Sequence, residues 1–458
     1  MAAIKHTVRR PSPLALAHAF ERQTGHSLKP PPTATYRNQT ASPVHAVPEF
    51  APMGGVLIAY PGTILPPTRH IQLPPTKPRA FGIPDELIIR MQQGDTARPV
   101  HIFILCDDPD ELPVVVRRLS LTAAQHDLSF DPSLLHFVPW DTDTYWTRDY
   151  GPWWVKNDET GSFGIAKHIY TSLGGGSVGL VEGAEHVNPL ERSGIFRPND
   201  DSGAVKFSDY LNAPIRARNA ARWHDKRLKA IPPHTWNCTG LLEVGGNYMV
   251  TGDGVIASSY LVAAQNELPV ARGDRTTDPS AHVIAKRMEY ILDQFNRFMG
   301  VHTYHVLSDP TGTYIGHIDC WGKFIAPRKV LIADSQDAKI SAAFKEIAAS
   351  FETEGFEVAR VMCQDVYVPQ GYTPATTAAY TNSLILNEQV YVPLAGSPHE
   401  ENDKVALAAY AKALPDHTVV GILGKAEAPW LGTDALHCRT CGVPREVVDH
   451  WLQSQVPA

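Results

Sequence analysis

The segment GHIDCWG (316–322) stands ahead of the apolar run Lys329–Ala333 and of a helical pattern from Asp337 to Glu352. This order predicts a strand followed by a helix. Other apolar runs predict strands at Val56–Ala59, His101–Cys106, Leu135–Val138, Val250–Ser258, Leu384–Val392 and Val419–Leu423. Two more helices are predicted, from about Ser280 to Met299 and from about Asn402 to Leu414. Strands that alternate with helices indicate the α/β class.

The chain divides into two parts, and all the predicted elements lie in the second. Residues 1–48 are rich in Pro, Thr, His and Ala, which predicts an N-terminal arm that is extended or poorly ordered. No linker-like segment interrupts residues 49–458, so we predict one large domain there despite its length.

The composition excludes several classes of protein. With 43% hydrophobic and 19% charged residues among 458, the chain is of globular type and not collagen, coiled coil or wholesale disorder. The net charge of −7 argues against a nucleic-acid partner, and no apolar run reaches the roughly 18 residues that span a bilayer, so no membrane partner is expected. The 6 cysteines form no disulfide framework. We expect a cytoplasmic location, with secretion as the alternative.

Clusters of polar, aromatic and glycine residues recur beside the predicted strands. They are WTRDYGPW (146–153), EVGGN (243–247), GHIDCWG (316–322), YTNS (380–383) and LHCRT (436–440). We interpret them as five strand ends that meet at one pocket, although the clusters are too dissimilar to establish a repeat.

Two of these clusters carry groups for acid–base and nucleophilic chemistry. On a strand, His317 and Asp319 would share one face, where they could transfer protons or bind a cation; a hydrogen-bonded core histidine is the alternative. Cys438 is the candidate nucleophile, with His317 as its partner because the adjacent His437 would face the other way. By the same geometry Cys320 should point away from the His317 face. A zinc role for the pair Cys438 and Cys441 would need a second cysteine pair at matching spacing, and a redox role would need a small thioredoxin-like unit; the sequence shows neither.

Asp149 lies among tryptophans, including Trp146, and this environment suits a planar cation. The alternative is a carboxylate that caps a turn in an aromatic core. Two carboxylates, an imidazole and a thiol together suit attack on a guanidinium carbon. At about 4 Å and an effective dielectric of about 20, the charge of that cation is worth roughly 4 kcal/mol, or about three pKa units, toward ionising the thiol.

The chain resembles the guanidino-group-modifying superfamily, and within it the bacterial-type peptidylarginine deiminases, which share ancestry with agmatine deiminases. The motifs are WTRDYGPW (146–153), EVGGNYM (243–249), GHIDCWGKF (316–324), AYTNSLILN (379–387), VYVP (390–393) and LHCRT (436–440). The resemblance implies a pseudo-symmetric five-bladed α/β propeller (pentein) of ββαβ units, with residues 49–458 as the deiminase catalytic domain. It implies no metal and no cofactor.

The resemblance also implies a role for each matching residue. Asp149 and Asp319 would bind the guanidinium, His317 would be the general acid/base, and Cys438 the nucleophile. Asn382 would support the site. The substrate would be contacted by four further residues, namely Trp146, Tyr314, Arg197 and Thr433. Arg197 stands where that branch recognises a substrate's terminal carboxylate, but it stands there as a single arginine.

The implied reaction is hydrolytic deimination of peptide or protein arginine to citrulline and ammonia, through a covalent thiouronium on Cys438. Thr433-Asp434-Ala435-Leu436 replaces the glycine-rich run usual in agmatine deiminases, which favours the peptidylarginine branch. Two alternatives stay open. The substrate could be agmatine or free arginine, or the chain could be a non-catalytic protein that binds arginine-bearing peptides. The sequence does not indicate the oligomeric state.

Overall fold

The computed structural model describes twelve stretches of the chain: residues 34–62, 79–94, 98–170, 197–222, 229–259, 261–262, 266, 281–311, 316–363, 378–425, 428–430 and 433–455. The strands of this part lie in five separate sheets of three or four strands, with helices between them. The predicted mixed α/β class is therefore confirmed. Within the described stretches, no helix is both long enough and apolar enough to span a bilayer.

The strands are β1 (Ala34–Arg37), β2 (Val44–Ala46), β3 (Met53–Ala59), β4 (His101–Leu105), β5 (Leu135–Val138), β6 (Trp154–Asn157), β7 (Phe163–Ile169), β8 (Thr235–Leu242), β9 (Tyr248–Val250), β10 (Val255–Ser259), β11 (Thr303–Leu307), β12 (Gly322–Ala326), β13 (Lys329–Asp334), β14 (Glu357–Met362), β15 (Leu384–Leu386), β16 (Gln389–Leu394), β17 (Thr418–Leu423) and β18 (Cys441–Pro444). The helices are α1 (Asp85–Met91), α2 (Glu111–Gln125), α3 (Thr147–Tyr150), α4 (Pro198–Ala221), α5 (Ala281–Met299), α6 (Ala338–Thr353), α7 (Glu400–Ala413) and α8 (Arg445–Gln455). Short 3-10 turns occupy Pro132–Leu134, Gly245–Asn247 and Ile318–Cys320.

The same three-strand pattern recurs in every sheet. A first strand pairs antiparallel with a second, and the second pairs parallel with a third after a helical crossover. The units are β6-β7-α4-β8, β9-β10-α5-β11, β12-β13-α6-β14, β15-β16-α7-β17 and β18-β3-α1-β4. The fifth unit joins the two ends of the described chain, because β18 pairs antiparallel with β3.

Two strands lie within the segment assigned to the N-terminal arm. β1 pairs antiparallel with β11, and β2 pairs antiparallel with β6. Residues 34–37 and 44–46 are thus extended but form part of the sheets. The arm's first 33 residues lie outside the described part of the chain.

Local sequence explains how the repeated helices form, as α6 illustrates. The side chain of Asp337 accepts hydrogen bonds from the backbone N–H groups of Lys339 and Ile340, over 2.8 and 3.0 Å, and so caps the helix. Its buried face carries Phe344 and Phe351, each worth roughly 1.5–3 kcal/mol on burial. The predicted helix from Asp337 to Glu352 matches α6 closely.

Two predicted strands are hairpins in the structure. The run Val250–Ser258 is interrupted at Gly252 and Gly254, whose φ angles of 85° and 88° turn the chain between β9 and β10. The run Leu384–Val392 is interrupted at Asn387, whose φ is 54°, between β15 and β16. Asparagine and glycine tolerate this left-handed region, so each of these apolar runs can contain a turn between two strands.

Candidate active site

A turn precedes the first strand of every three-strand unit, and these turns carry the site. α3 precedes β6, the 3-10 turns Gly245–Asn247 and Ile318–Cys320 precede β9 and β12, residues 380–383 precede β15, and residues 436–439 precede β18. The five sequence clusters therefore occupy equivalent positions in the five units. Contacts among their residues join these five turns in one site.

Cys438, Asp319 and Asn382 are in mutual contact and almost fully buried. The Cys438 Sγ lies 3.4 Å from Asp319 Oδ2. The Asn382 side-chain amide donates to Cys438 Sγ over 3.1 Å and to Asp319 Oδ2 over 3.2 Å. The thiol and one of the two predicted carboxylates therefore share one pocket, supported by the predicted amide.

The prediction that His317 and Asp319 share one face of a strand is wrong. His317 precedes the 3-10 turn Ile318–Cys320, and this tight turn brings both side chains to the same place without the two-residue period of a strand. A methyl group built on Gly246 would lie 3.0 Å from each of three atoms: Asp149 Oδ1, Asp319 Oδ2 and His317 Nδ1. The three groups thus surround the backbone of Gly246, and His317 Nδ1 lies 3.9 Å from Asp149 Oδ1.

Cys320 also differs from expectation. Instead of pointing away from the site, its Sγ lies 3.7 Å from Asp319 Oδ1, because a 3-10 turn does not alternate its side chains as a strand does. Burial raises the pKa of Cys320, and the charge of Asp319 raises it further, while a hydrogen bond with Thr433 opposes the shift. Thr433 is thereby linked to the site through Cys320. Tyr314 lies outside the described residues.

The pKa values of the carboxylates of Asp149 and Asp319 are shifted in opposite directions. Burial, and then the charges of Asp319 and Asp434, raise the pKa of Asp149 well above its usual value. Its Oδ1 accepts no hydrogen bond from any residue that the structure describes. For Asp319, burial is outweighed by the hydrogen bond and charge of His437, which lower its pKa. Without a cation between them, Asp149 is therefore the carboxylate that resists ionisation.

The thiol resists ionisation for the same reason. Burial raises the pKa of Cys438 well above its usual value, and the neighbouring charges of Asp319, Asp434 and Asp149 raise it further. A cation bound among these carboxylates would reverse the effect, because it favours every negative charge around it. The arrangement is thus suited to a thiol that ionises only when a cationic ligand is present.

An aromatic wall stands beside the thiol. Trp146 and Cys438 belong to one buried cluster, and the Trp146 Nε1 donates to Asp434 Oδ2 over 2.8 Å. Asp434 is paired with the fully buried Arg439, whose Nη2 lies 2.8 Å from the same oxygen. Asp434 therefore fixes the plane of the indole.

Arg197 completes that wall. Its Cζ lies 5.2 Å from the centre of the Trp146 ring, and its Nη1 donates to the Tyr170 hydroxyl over 2.8 Å. Its Nε and Nη2 have no hydrogen-bond partner among the described residues, although the side chain is buried. Buried guanidinium donors normally find acceptors, so this corner of the site can receive a carboxylate or a carbonyl oxygen.

A cavity of about 70 Å³ borders the site and is lined by Asp319 and His437 but not by Cys438. Charged side chains on its wall include Glu49, Arg148 and Lys323. A space of this size and polarity is sufficient for water. Among the described residues, no group of three or more His, Cys, Asp and Glu side chains could hold a metal ion.

Sequence reasoning missed four residues of this assembly, which are Glu49, Gly246, Asp434 and His437. Glu49 and Asp434 had no motif that singled them out as contacts. His437 was set aside on the assumption of a strand, whereas residues 436–439 form a turn. The Gly245-Gly246 pair was the available signal for Gly246, since adjacent glycines mark places where other groups approach the backbone closely.

Comparisons with known proteins agree with this geometry. The family model of the Porphyromonas-type peptidyl-arginine deiminases matches residues 282–444, a segment that holds His317, Asp319, Asn382 and Cys438. The fold is similar to the agmatine deiminase of Enterococcus faecalis, with TM-score 0.55 and 17% identity over 89% of this chain and 99% of that one. A candidate arginine deiminase from Porphyromonas gingivalis is similar with TM-score 0.53 and 17% identity, over 88% of this chain and 98% of that one. The agmatine deiminase of C. jejuni is similar with TM-score 0.51 and 13% identity, over 89% of this chain and 98% of that one.

At these identities the solved structures establish similarity of fold. The family match covers the segment that carries most of the sequence motifs. Together they confirm the resemblance to the bacterial peptidylarginine and agmatine deiminases that the motifs indicated.

Proposed function

We propose that this chain belongs to the bacterial-type peptidylarginine and agmatine deiminase family and that it hydrolyses the guanidinium group of arginine in peptides or proteins to citrulline and ammonia. One observation carries the proposal: the Cys438 Sγ lies 3.4 Å from Asp319 Oδ2, in a site that Asp149 and His317 share. A thiol among buried carboxylates suits a planar cation that is attacked at its central carbon.

The substrate's own charge completes the site. Asp149 and Asp319 would each bind guanidinium N–H groups, which offsets the cost of burying both charges. A unit positive charge at about 4 Å, with an effective dielectric of about 20, favours the thiolate by roughly 4 kcal/mol. The Cys438 thiol therefore becomes a nucleophile when substrate occupies the site and stays protonated otherwise.

The reaction then proceeds in two halves. The Cys438 thiolate attacks the guanidinium carbon, and protonated His317 gives a proton to the departing nitrogen, which leaves as ammonia. A thiouronium remains bonded to the sulfur. Neutral His317 next takes a proton from water, whose oxygen adds to the same carbon. The carbon–sulfur bond breaks, the added hydroxyl loses its remaining proton to solvent, and neutral citrulline leaves while the thiolate is restored.

Arg197 supports arginine in peptides over agmatine as the substrate. Its Nε and Nη2 lack partners among the described residues, and its guanidinium lies against Trp146. A peptide carbonyl or a terminal carboxylate could accept from these donors, whereas agmatine carries neither group. Trp146 would form the wall beside the substrate's apolar stem.

The five repeated units support a finer proposal for the architecture. Each unit presents a site-bearing turn at the start of its first strand, as expected if the sheets are blades around one axis. We propose that this axis passes through the site near Gly246, as in a five-bladed propeller.

An activity panel tests the proposed function. Purified protein is assayed for citrulline-type product and ammonia with internal-arginine peptides, C-terminal-arginine peptides, free arginine and agmatine, with Cys438→Ala as the control. We expect turnover of arginyl peptides and none by the variant. Turnover of agmatine alone would support the small-molecule alternative. Binding of peptides without turnover of any substrate would support the non-catalytic alternative, and normal turnover by Cys438→Ala would contradict the mechanism.

A further inference from the structure

His437 stands between two carboxylates, those of the buried Asp319 and of the partly buried Glu49. Its Nδ1 lies 2.7 Å from Asp319 Oδ2, and its Nε2 lies 2.7 Å from Glu49 Oε2. The ring and Asp319 are buried, and the Glu49 side chain is 11% exposed. It directly precedes Cys438, yet the proposed reaction assigns it no step.

The contacts of Glu49 fix where the protons of this arrangement lie. Glu49 Oε1 is 3.0 Å from Lys323 Nζ and accepts from the backbone N–H of Ile385 over 2.8 Å. Against the effect of burial, the charges of Lys323 and of Arg148, whose Nη2 lies 3.8 Å from Oε2, favour the ionised form of Glu49. Glu49 is therefore ionised and cannot supply a proton to the contact with Nε2.

The contact at Nδ1 requires a proton on the ring as well. Asp319 Oδ2 already accepts from the Asn382 amide over 3.2 Å, and the Cys438 thiol lies 3.4 Å from the same oxygen, so this oxygen acts as an acceptor. Two carboxylate acceptors at 2.7 Å then leave both ring nitrogens as donors. The imidazole of His437 is accordingly a cation held in place from both sides.

We propose that His437 is a positioning residue for the Cys438 thiol: as a buried imidazolium fixed by Glu49, it orients Asp319 Oδ2 toward the sulfur and offsets the negative charge there. The inference rests on the proposed function only in taking Cys438 as the nucleophile. His317 keeps the acid–base role, and His437 acts through Asp319 without touching the substrate.

The balance of charge around the sulfur shows why this cation matters. The groups that act on Cys438 are Asp319, Asp434, Asp149 and Cys320, with Arg439 as a nearby cation. Arg439 is already paired with Asp434. Among the described residues, the other positive charges that act on Asp319 are those of His317, Lys323 and Arg148, and His437 adds to them a contact of 2.7 Å with Oδ2. Without His437 the thiolate would form less readily, and Asp319 Oδ2 would lose its contact of 2.7 Å and keep the weaker one of 3.2 Å with the Asn382 amide.

Two substitutions separate charge from orientation. In His437→Asn the side-chain amide nitrogen occupies about the position of Nδ1 and can still donate to Asp319. In His437→Gln it occupies about the position of Nε2 and can donate only to Glu49. Both variants lack the positive charge. Glu49→Gln is the third variant, since it keeps the imidazole but removes one of the two carboxylates that hold its second proton.

The readout is the rate of Cys438 alkylation by iodoacetamide across pH, measured on the Cys438 peptide by mass spectrometry. The exposed Cys238 is the internal control in the same digest. We expect the pH midpoint for Cys438 to rise by about one unit in both His437 variants and by less in Glu49→Gln, with Cys238 unchanged. In steady-state assays, kcat should fall roughly tenfold in His437→Asn and roughly a hundredfold in His437→Gln.

Unchanged midpoints for Cys438 in folded His437 variants would overturn the proposal, and so would equal kcat values for His437→Gln and wild type. If a His437 variant does not fold, the proposal is tested by the pH midpoint of Cys438 alkylation in Glu49→Gln. A rise of this midpoint above the wild-type value supports the proposal, and no rise contradicts it. Alkylation needs no turnover. A shifted midpoint in a protein that deiminates none of the substrates would therefore support the role of His437 and contradict the proposed function alone.

Discussion

Asn382 contacts Cys438 at two points. Its Nδ2 donates to the Cys438 Sγ over 3.1 Å, and its Oδ1 accepts from the Cys438 backbone N–H over 3.2 Å. The same Oδ1 accepts from the backbone N–H of Ala435 over 3.0 Å. One amide thus fixes both the backbone of the turn at 435–438 and the direction of the sulfur, and no isosteric carboxylate could do both.

The first prediction concerns this amide. Asn382→Ala should lower kcat by roughly 10- to 100-fold, because a hydrogen bond to a charged sulfur is worth about 1.5–3 kcal/mol. Asn382→Asp is the matched comparison. It keeps the acceptor for the backbone N–H groups but adds a negative charge beside the thiol, so kcat should fall further at neutral pH and partly recover as pH is lowered. Steady-state kinetics from pH 5 to pH 8 measure both effects, and wild-type kcat in Asn382→Asp would contradict the assignment.

The second prediction concerns the cost of Asp149 to the fold. Its pKa is raised in the folded protein, so its contribution to stability is present below the unfolded pKa and is lost as pH rises through the folded pKa. Asp149→Asn has no carboxyl group to ionise, so the variant does not lose this stability as pH rises. We expect the variant to melt higher than wild type at pH 8, by roughly 1 °C per kcal/mol for a domain of this size, with a difference that vanishes toward pH 4.

Thermal melts of both proteins at pH 4, 6 and 8 and one ionic strength test this prediction. The same variant should lose at least about a hundredfold in kcat/KM, since it removes one partner of a buried charge pair with the guanidinium. A variant less stable than wild type at pH 8 would show that Asp149 is compensated by a cation in the free protein.

The third prediction uses the close approach at Gly246. Gly246→Ala places a methyl group 3.0 Å from the reactive atoms of Asp149, Asp319 and His317. A displacement of about 1 Å can cost a factor of 100 in rate, so we expect a loss of that order with little change in thermal stability. Gly62→Ala is the control, because its added methyl would meet Arg79 atoms no closer than 3.5 Å. Retained activity in Gly246→Ala would mean that these three side chains can move apart at no cost.

The fourth prediction tests which substrates Arg197 recognises. Arg197→Met keeps an apolar contact with Trp146 but removes the donors, so KM for arginyl peptides should rise roughly 10- to 100-fold. The rate with agmatine should hardly change. Arg197→Lys retains the charge without the planar fork and should give an intermediate KM. Steady-state kinetics on the same panel measure this, and an equal effect on peptides and agmatine would contradict a role in recognising the carbonyl or carboxylate.

The sequence predicted the regular core and the groups of the site more successfully than their local geometry. The apolar runs of β3 and β4 and the amphipathic pattern of α5 and α6 follow directly from burial, which depends on residue type. α2 was missed because Val114-Val115-Val116 favours a strand locally, whereas its buried positions recur with helical spacing at Val115, Leu119 and Ala123.

In the site, too, the chemical groups were easier to predict from the sequence than their contacts. Cys438, Asp319 and Asn382 were recognisable as chemical groups, and the structure brings them together. The contacts of Glu49 were not predictable, because the residue reaches His437 and Lys323 from distant parts of the chain with no local pattern. A 3-10 turn in place of a strand at His317 also escaped detection, since three residues are too few to show a period.

The pairing of β18 with β3 has a consequence for biosynthesis. The thiol at 438 is translated after the other four site-bearing turns, and the edge of β3 stays open until β18 emerges from the ribosome and docks. A nascent chain that ends before residue 438 therefore lacks the thiol of the site, even when its other four site-bearing turns have been made. We expect reactivity to arise abruptly, at the moment when the late strand closes onto the early one.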